Sequence, residues 1–488
     1  MNLSSANTAN TTISTDLLAV TLSPDTWKDR IATLDEALGG NLVSLAQAEG
    51  FDAKPGQTFA LHTLGKLPAR KVLLVGLGAR PLDPDAVKDL GGKLAQAAGK
   101  SRATSLAIDA DWTAAPLDAP NALRLVAEGA RLAAYKFDRY LSDKGDAPPL
   151  EAVTFLTAAD TTADLARAQA VVNGVLLARD LVNEPPNVCT PVWLAEQAQA
   201  IAARYGLTAS ILDQAALQER GLNLLLAVGR GSVEESRLIH LTYTPEGEVT
   251  RRVAIVGKGV TFDTGGYNIK VAGSMMGMHC DMAGGAAVLG AAETLGQLRP
   301  AGVEVHFIVP SATNRVSSNA YTVNEIIKGY GGKTVEINNT DAEGRLLLAD
   351  ALAFAAELGV DEIIDLATLT GACVVALGEQ YSAIFSNNKD LSQNLVNAAS
   401  DAGERIWPMP LDEKLRDKLK SPVADMRNTG DRWGGAITAA LFLKEWVGET
   451  AWAHIDIAGP AFTEAELPIS PKGGTGAGVA LLVRHIAG

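Results

Sequence analysis

Along its whole length this sequence alternates short runs of β-branched and aliphatic residues with longer Ala- and Leu-rich stretches of helical periodicity, a pattern that points to an α/β architecture. In the first 165 residues or so the apolar runs are LLAVTL, VLLVGLG, SLAIDA and AVTFL, and the stretches Asp85 to Gly99 and Asn121 to Ala134 have amphipathic helical spacing. The Pro-containing segment Gly145 to Leu150 reads as a surface loop, and Ala163 to Asp180 as a helix leading into the turn-rich NEPPN, Asn183 to Asn187. Beyond it RRVAIVG, VEVHFIVP, TVEIN, EIIDLATL and AWAHIDIAG recur between helical patterns, as the strands of a sheet covered on both faces do. A length of 488 residues suits two or three domains rather than one core. The expected fold class is therefore α/β, with an N-terminal α/β domain over 1–165 and a larger C-terminal α/β domain over 166–488. The latter has a mixed sheet flanked by helices, and 166–180 is the connecting helix.

Charge excludes some functions. Lys and Arg number 42 and Asp and Glu 56, so the formal charge is 42 − 56 = −14. Such a chain repels a polyanion at long range, which argues against nucleic acid as a partner. Three cysteines, Cys189, Cys280 and Cys373, are too widely spaced for a CxxC metal site and odd in number, which fits a reducing, cytoplasmic compartment. The polar start MNLSSANTANTTISTDLLAV lacks the basic region and long apolar core of a secretion signal. The best candidate for a membrane span, Leu346 to Val360, is broken by Asp350 and Glu357, so no membrane association is expected.

Several motifs are decoys. Gly76-Leu-Gly78 follows a strand, but the third glycine of a dinucleotide fingerprint falls on Pro81. Gly331-Gly-Lys333-Thr334 resembles the tail of a phosphate loop, yet its first glycine falls on Ile327, so a turn between two strands is the better reading. Neither GxSxG nor HExxH occurs. The six histidines, His62, His240, His279, His306, His454 and His485, are scattered, so carboxylates must do most of the work of holding any metal.

Two segments place charges inside apolar or glycine-rich surroundings, where an unpaired charge is costly. In Val253 to Val288, Lys258 follows a buried-type strand, Asp263 and Gly265-Gly266 lie in the next loop, and Asp281 precedes a helix of small residues. In Val335 to Asp350, Asp341 and Glu343 are two apart, so in an extended stretch they emerge on one face, and Gly344 lets the chain turn into the following helix. Taken singly, Asp281 or Asp341 could cap a helix, and Lys258 or Arg345 could sit in a surface salt bridge. Taken together, the charges cluster in loops after strands, where open α/β sheets put their sites. Asp263, Asp281, Asp341 and Glu343 bring four negative charges, which two divalent ions balance. Adjacent cations and burial push Lys258 toward the neutral amine, a nitrogen ligand.

NTDAEGRL (Asn339 to Leu346), with VGKGVTFDTGG upstream and NTGDRWGGAITAALFL and WAHIDIAGPA downstream, closely resembles the leucyl aminopeptidase family of dinuclear metallopeptidases, also called cytosol aminopeptidases. The resemblance covers the C-terminal part, from about NEPPN to GGTGAGV, and is weak before it. It implies a catalytic domain over 166–488, an assembly or regulatory domain over 1–165, and a homohexamer. It also implies two divalent metal ions per subunit, Mn²⁺ or Zn²⁺: Asp263 and Glu343 bridge them, Lys258 and Asp281 complete one site, and Asp341 completes the other. Lys270 matches the lysine that polarises the scissile carbonyl, and Arg345 the arginine that holds a bicarbonate acting as general base. Met278, Thr368, Gly371, Ala458 and Ala461 match the pocket for the first side chain, and Leu369 a backbone contact to substrate. The implied reaction is attack of a dimetal-bridging water on a peptide with a free N-terminus, releasing leucine and other bulky apolar residues.

The sequence departs from the family's usual pattern in places. His279 stands where Lys is frequent, Thr264-Gly-Gly where Ser-Gly-Gly is, and Asn268-Ile-Lys270 where Ser-Leu-Lys is. Ala461 replaces a larger residue such as Met, which implies a roomier pocket. Two rivals remain: a related dinuclear hydrolase of phosphate esters or of a specialised dipeptide, and an added non-enzymatic role as a DNA-binding regulator. Residues 51–100 hold eight Lys/Arg against four Asp/Glu, but without a basic run or interleaved aromatics, which speaks against the second.

Overall fold

The computed structural model describes residues 1–79, 81–111 and 118–488. They form two compact units, one of Met1–Val172 with Glu466–Pro471 and one of Asn173–Ala465 with Lys472–Gly488. Among the described residues no helix is long and apolar enough to cross a membrane.

In the first unit, strands β1 (Asn2–Ala6), β2 (Leu17–Leu22), β3 (Thr58–His62), β4 (Lys71–Gly76), β5 (Ser105–Asp109) and β6 (Ala152–Leu156) form one sheet in the order β1-β6-β5-β2-β4-β3. It is parallel except at the β3 edge. The two-residue pleat sorts the central strands. Leu18, Val20, Val72 and Leu74 pack toward the short helices α1 (Trp27–Arg30), α2 (Ala32–Ala37) and α3 (Leu42–Ala48). Leu17, Ala19, Leu73 and Val75 pack toward α4 (Pro84–Lys100) and α5 (Ala119–Ala133). The division between the units falls within α6 (Thr162–Asn183).

The second unit is built on a nine-stranded mixed sheet, as the alternating runs predict. Its strands are β7 (Thr208–Leu212), β8 (Arg237–Tyr243), β9 (Arg251–Gly257), β10 (Gly259–Asp263), β11 (Val303–Asn314), β14 (Glu362–Ala367), β15 (Ser382–Ser386), β16 (Ile406–Pro408) and β18 (Ala451–Asp456). The order is β16-β15-β18-β14-β9-β11-β8-β7, with β10 pairing parallel to β11. The central strands β18, β14, β9 and β11 run parallel. Strands β12 (Ile326–Lys328), β13 (Thr334–Glu336) and β17 (Met426–Arg427) form a small separate sheet. Gly331-Gly332-Lys333 is the turn between antiparallel β12 and β13, so the phosphate-loop lookalike is a hairpin, as read from the sequence. A last pair is β19 (Phe462–Thr463) with β20 (Gly473–Gly474).

The helices of this unit are α7 (Pro191–Tyr205), α8 (Gln214–Arg220), α9 (Asn223–Gly229), α10 (Ala283–Leu298), α11 (Glu343–Glu357), α12 (Gly371–Leu377), α13 (Lys389–Ala402), α14 (Gly435–Lys444) and α15 (Val479–Ala487). Pleating again decides who meets whom. Ala254 and Val256 of β9 join the core built with α9, α11 and α14. Gly257, of opposite parity, meets α10 backbone to backbone: a Cβ there would lie 2.4 Å from the Gly284 carbonyl oxygen. A Cβ on Gly284 would lie 2.1 Å from that of Leu366 in β14. Helix α10 thus starts hard against the ends of β9 and β14, and only glycine permits that approach. Gly284→Ala should lower unfolding free energy by about 1–3 kcal/mol through overpacking, read by denaturant unfolding. A change below about 0.5 kcal/mol would show that the contact does not set the helix position.

Candidate active site

The central parallel strands end at one rim of the second unit, and the singled-out residues collect there, as expected of an open α/β sheet. Lys258 follows β9 by one residue, Asp263 is the last residue of β10, and Asp281 sits in the 3₁₀ turn Met278–Met282 that enters α10. Asp341 lies in the turn before α11 and Glu343 is the helix's first residue. Thr368 and Leu369 follow β14.

Five local expectations need correction. Asp263 ends a strand rather than lying in a loop, because β10 adds to β11. Asp341 and Glu343 are not on an extended stretch: a turn and the start of the helix bring them to the same place. Gly344 is inside the helix and turns nothing. Its missing Cβ would stand 2.5 Å from Lys258 Cε, so glycine there makes room for the lysine. The helix-cap readings also fail, since Met282 and Ala342 occupy the cap positions of α10 and α11 and neither helix has a side-chain cap. Lys258 and Arg345 are both buried, so neither forms a surface pair.

Lys258 Nζ lies 2.7 Å from Asp281 Oδ1 and 2.9 Å from Glu343 Oε1, and it donates to the Thr368 carbonyl at 3.0 Å. Lys270 Nζ lies 2.9 Å from Asp263 Oδ2 and 2.7 Å from Asp341 Oδ1. One carboxylate oxygen from each of Asp263, Asp341 and Glu343 falls within 4.8 Å of the others. Burial pulls the Lys258 pKa down, but the charges of Asp281, Glu343 and Asp263 outweigh it, so the pKa is raised and the group is an ammonium. Lys270 is raised in the same way, by Asp263 and Asp341 against burial. Burial, with the Glu343 charge, lifts Asp263 to about 6. Burial drives Asp281 well up and Asp341 up. Glu343 goes down, because Lys258 and Lys270 outweigh its burial.

Four carboxylates against two ammonium groups leave an excess of negative charge in a buried place. Asp281 Oδ2 and Glu343 Oε2 are buried with no hydrogen-bond partner among the described residues. Carboxylate oxygens with open lone pairs are the donors that divalent cations prefer, so this residue set fits such ions.

Of the remaining predicted residues, Thr368 touches the cluster directly. Thr368 Oγ1 donates to Asp281 Oδ1 at 2.7 Å. Met278 opens the turn that carries Asp281. Leu369 N and Ala458 N donate to the same oxygen of Asp456, each at 3.1 Å. Gly371 is exposed at the start of α12, and Ala461 is buried three residues beyond Ala458. Arg345 donates to the Asn428 carbonyl at 2.8 Å, and burial lowers its pKa to about 10 against the pull of Glu343 and Asp456. His279 stacks edge-on to Phe462, ring centroids 5.5 Å apart, and burial lowers its pKa.

Sequence reasoning missed the polar frame behind the cluster. Asn314 donates to Asp263 Oδ1 at 2.8 Å and to the Thr340 carbonyl at 3.1 Å, and Tyr321 donates to that carbonyl too. Thr340 ties the Lys270 loop to the Asp341 turn, donating to the Gly265 carbonyl at 2.7 Å and accepting from Asn268 N at 2.8 Å. Gly265, with φ of 85°, takes a left-handed turn in which a Cβ would strike the Asn268 carbonyl at 2.5 Å. Asp456 was findable, being a charge at the end of a buried strand exactly as Lys258 is a charge after one. Asn314 carried no such signal.

The profile of the cytosol aminopeptidase family catalytic domain matches residues 176–483, and that of the family's N-terminal domain matches residues 19–144. A probable cytosol aminopeptidase of Thermosynechococcus vestitus is 46% identical over 494 residues, covering 100% of this chain and 99% of that protein. One of Rippkaea orientalis is 46% identical over 459 residues, covering 93% of each. Among solved structures, a mutant of tomato leucine aminopeptidase superposes with a TM-score of 0.91 at 38% identity, covering 100% of this chain and 96% of that one. The bottromycin maturation enzyme BotP in complex with Mn gives 0.86 at 35% identity, covering 97% and 99%. By family, by full-length relatives and by fold, this chain belongs to the cytosol aminopeptidases and is a metal-dependent aminopeptidase, a hydrolase of peptides.

Proposed function

We propose that the enzyme removes one residue at a time from the free N-terminus of peptides, preferring leucine and other bulky apolar side chains. The observation that carries this reading is the convergence of buried Asp263 and Glu343 with half-buried Asp341, with carboxylate oxygens left open beside them. Lys258, Asp263, Asp281, Asp341 and Glu343 hold two divalent cations, Mn²⁺ or Zn²⁺. When bound, such ions polarise a carbonyl and lower the pKa of water at neutral pH.

The side chains supply the rest. Lys258 is held charged by the carboxylates around it; two divalent cations in the site would oppose that charge, and the neutral amine would then be a nitrogen ligand. Lys270, the more exposed of the two lysines, places a positive charge where the scissile carbonyl oxygen becomes negative. Arg345 would hold a bicarbonate, which would supply a general base. Met278, Thr368, Gly371, Ala458 and Ala461 enclose the first side chain, and Leu369 meets the substrate through its backbone. The small Ala461 broadens selectivity beyond leucine, since a methylene in such a pocket changes discrimination only about 10- to 200-fold. The active form is a cytoplasmic homohexamer in which residues 1–165 serve assembly and 166–488 catalysis, with 166–180 as the connecting helix.

Lys270→Ala and Glu343→Ala should fold with near wild-type melting yet lose about 10²-fold or more in kcat/KM on leucine amide. Near wild-type turnover by either would contradict the assignment. Chelation should abolish activity and Mn²⁺ or Zn²⁺ restore it, and indifference to both would exclude metal catalysis. A cation competes with protons for Asp263, whose metal-free pKa is raised to about 6. Above that pH no proton need leave it, whereas below it one must. Lys258, whose pKa is raised, must also shed a proton to become a ligand, so calorimetric affinity of chelator-stripped protein for Mn²⁺ should fall as pH drops from 7.5 and more steeply below 6, and an affinity flat from pH 7.5 to 5 would contradict the site.

A further inference from the structure

Asp456 is the last residue of β18 and is fully buried, paired in register with Ala367 at the end of β14. The backbone ladder between these strands runs one step further, with Ile457 N donating to the Ala367 carbonyl at 2.8 Å. Beyond that step the Asp456 carboxylate takes over. Its Oδ1 accepts from Leu369 N and from Ala458 N, both at 3.1 Å, and its Oδ2 accepts from the Thr370 hydroxyl at 2.7 Å. Leu369 and Thr370 belong to the segment that runs from β14 into Gly371 and α12; Ala458 belongs to the segment that runs from β18 to Ala461.

We infer that Asp456 is a positioning residue that sets the width of the pocket for the substrate's first side chain, by holding the two segments that wall it on one carboxylate. The inference rests on the preceding reading that Met278, Thr368, Gly371, Ala458 and Ala461 line that pocket and that Leu369 meets the substrate through its backbone. A buried carboxylate is costly unless donors satisfy it, and here all three donors come from the two walls, so the charge forces the walls to one spacing. The layer behind is equally fixed. His454, two residues earlier on β18, bonds Asp365 Oδ1 at 2.6 Å, and Trp452 Nε1 donates to Asp365 Oδ2 at 2.7 Å. All three are fully buried. The carboxylate therefore stands on a rigid back, as a spacer between loops requires.

The test is the ratio of kcat/KM for leucyl and alanyl amides in metal-replete wild type, Asp456→Ala and Asp456→Asn, with metal content measured for each. Asp456→Ala should keep its metal and lose about tenfold in the ratio, chiefly through a higher KM for the leucyl substrate. Asp456→Asn keeps an oxygen facing Leu369 and Ala458 and should hold the ratio within about twofold. If Asp456→Ala does not fold, Asp456→Glu, which pushes the carboxylate out by one methylene, should shift the ratio by a similar factor. An unchanged ratio in folded Asp456→Ala or Asp456→Glu, or equal losses on both substrates, overturns the inference while leaving the aminopeptidase reading intact. A wild type without activity or preference on either amide overturns that reading and the inference with it.

Discussion

The structure of the catalytic unit depends on one electrostatic constraint: four carboxylates gathered at the buried ends of parallel strands must be neutralised. Lys258 and Lys270 do half of this, each straddling two carboxylates at 2.7 to 2.9 Å. The cluster gathers only because backbones approach closely. Gly257 and Gly284 let α10 meet the strands, and Gly344 lets α11 begin against the Lys258 side chain. Chain geometry and charge balance are thus one problem, since the close helix starts that glycine admits bring the carboxylates to their counter-charges.

A second tier of polar residues converts proximity into defined orientation. Asn314 and Thr340 fix Asp263, the Lys270 loop and the Asp341 turn against one another. Thr368 joins Lys258 and Asp281 by using its carbonyl for one and its hydroxyl for the other. These groups carry no charge themselves, and their contribution is that the charged groups have few other places to go. Such preorganisation is what a site needs if it is to stabilise developing charge without reorganising.

Much of this was legible in the sequence because buried charge is conspicuous. The central strands β2, β4, β5, β6, β9, β11, β14 and β18 announced themselves as apolar runs, whereas edge strands such as β1, β3 and β7 did not, and Lys258, Asp263, Asp281, Asp341 and Glu343 stood out against apolar or glycine-rich surroundings. Local geometry was not legible. Spacing of two suggested an extended stretch for Asp341 and Glu343, whereas the chain uses a turn and a helix start, because the N-terminus of a helix also favours a carboxylate there. Gly344 looked like a turn residue, and its real reason, a lysine side chain 86 positions earlier, is invisible until the fold brings the two together. Asn314 and Thr340 were missed because a neutral polar residue at a strand end or in a loop is ordinary. Only its partners make it informative.

The central claim is that this carboxylate and lysine cluster is a two-metal site. Anomalous diffraction at the manganese edge from crystals of the protein grown with Mn²⁺ tests it most directly. Two anomalous peaks about 3.5–4 Å apart among Asp263, Asp281, Asp341 and Glu343, with Lys270 moved off Asp263 and Asp341, are predicted. A single peak, peaks outside this cluster, or both lysines still seated on the carboxylates in the metal-soaked crystal would contradict it.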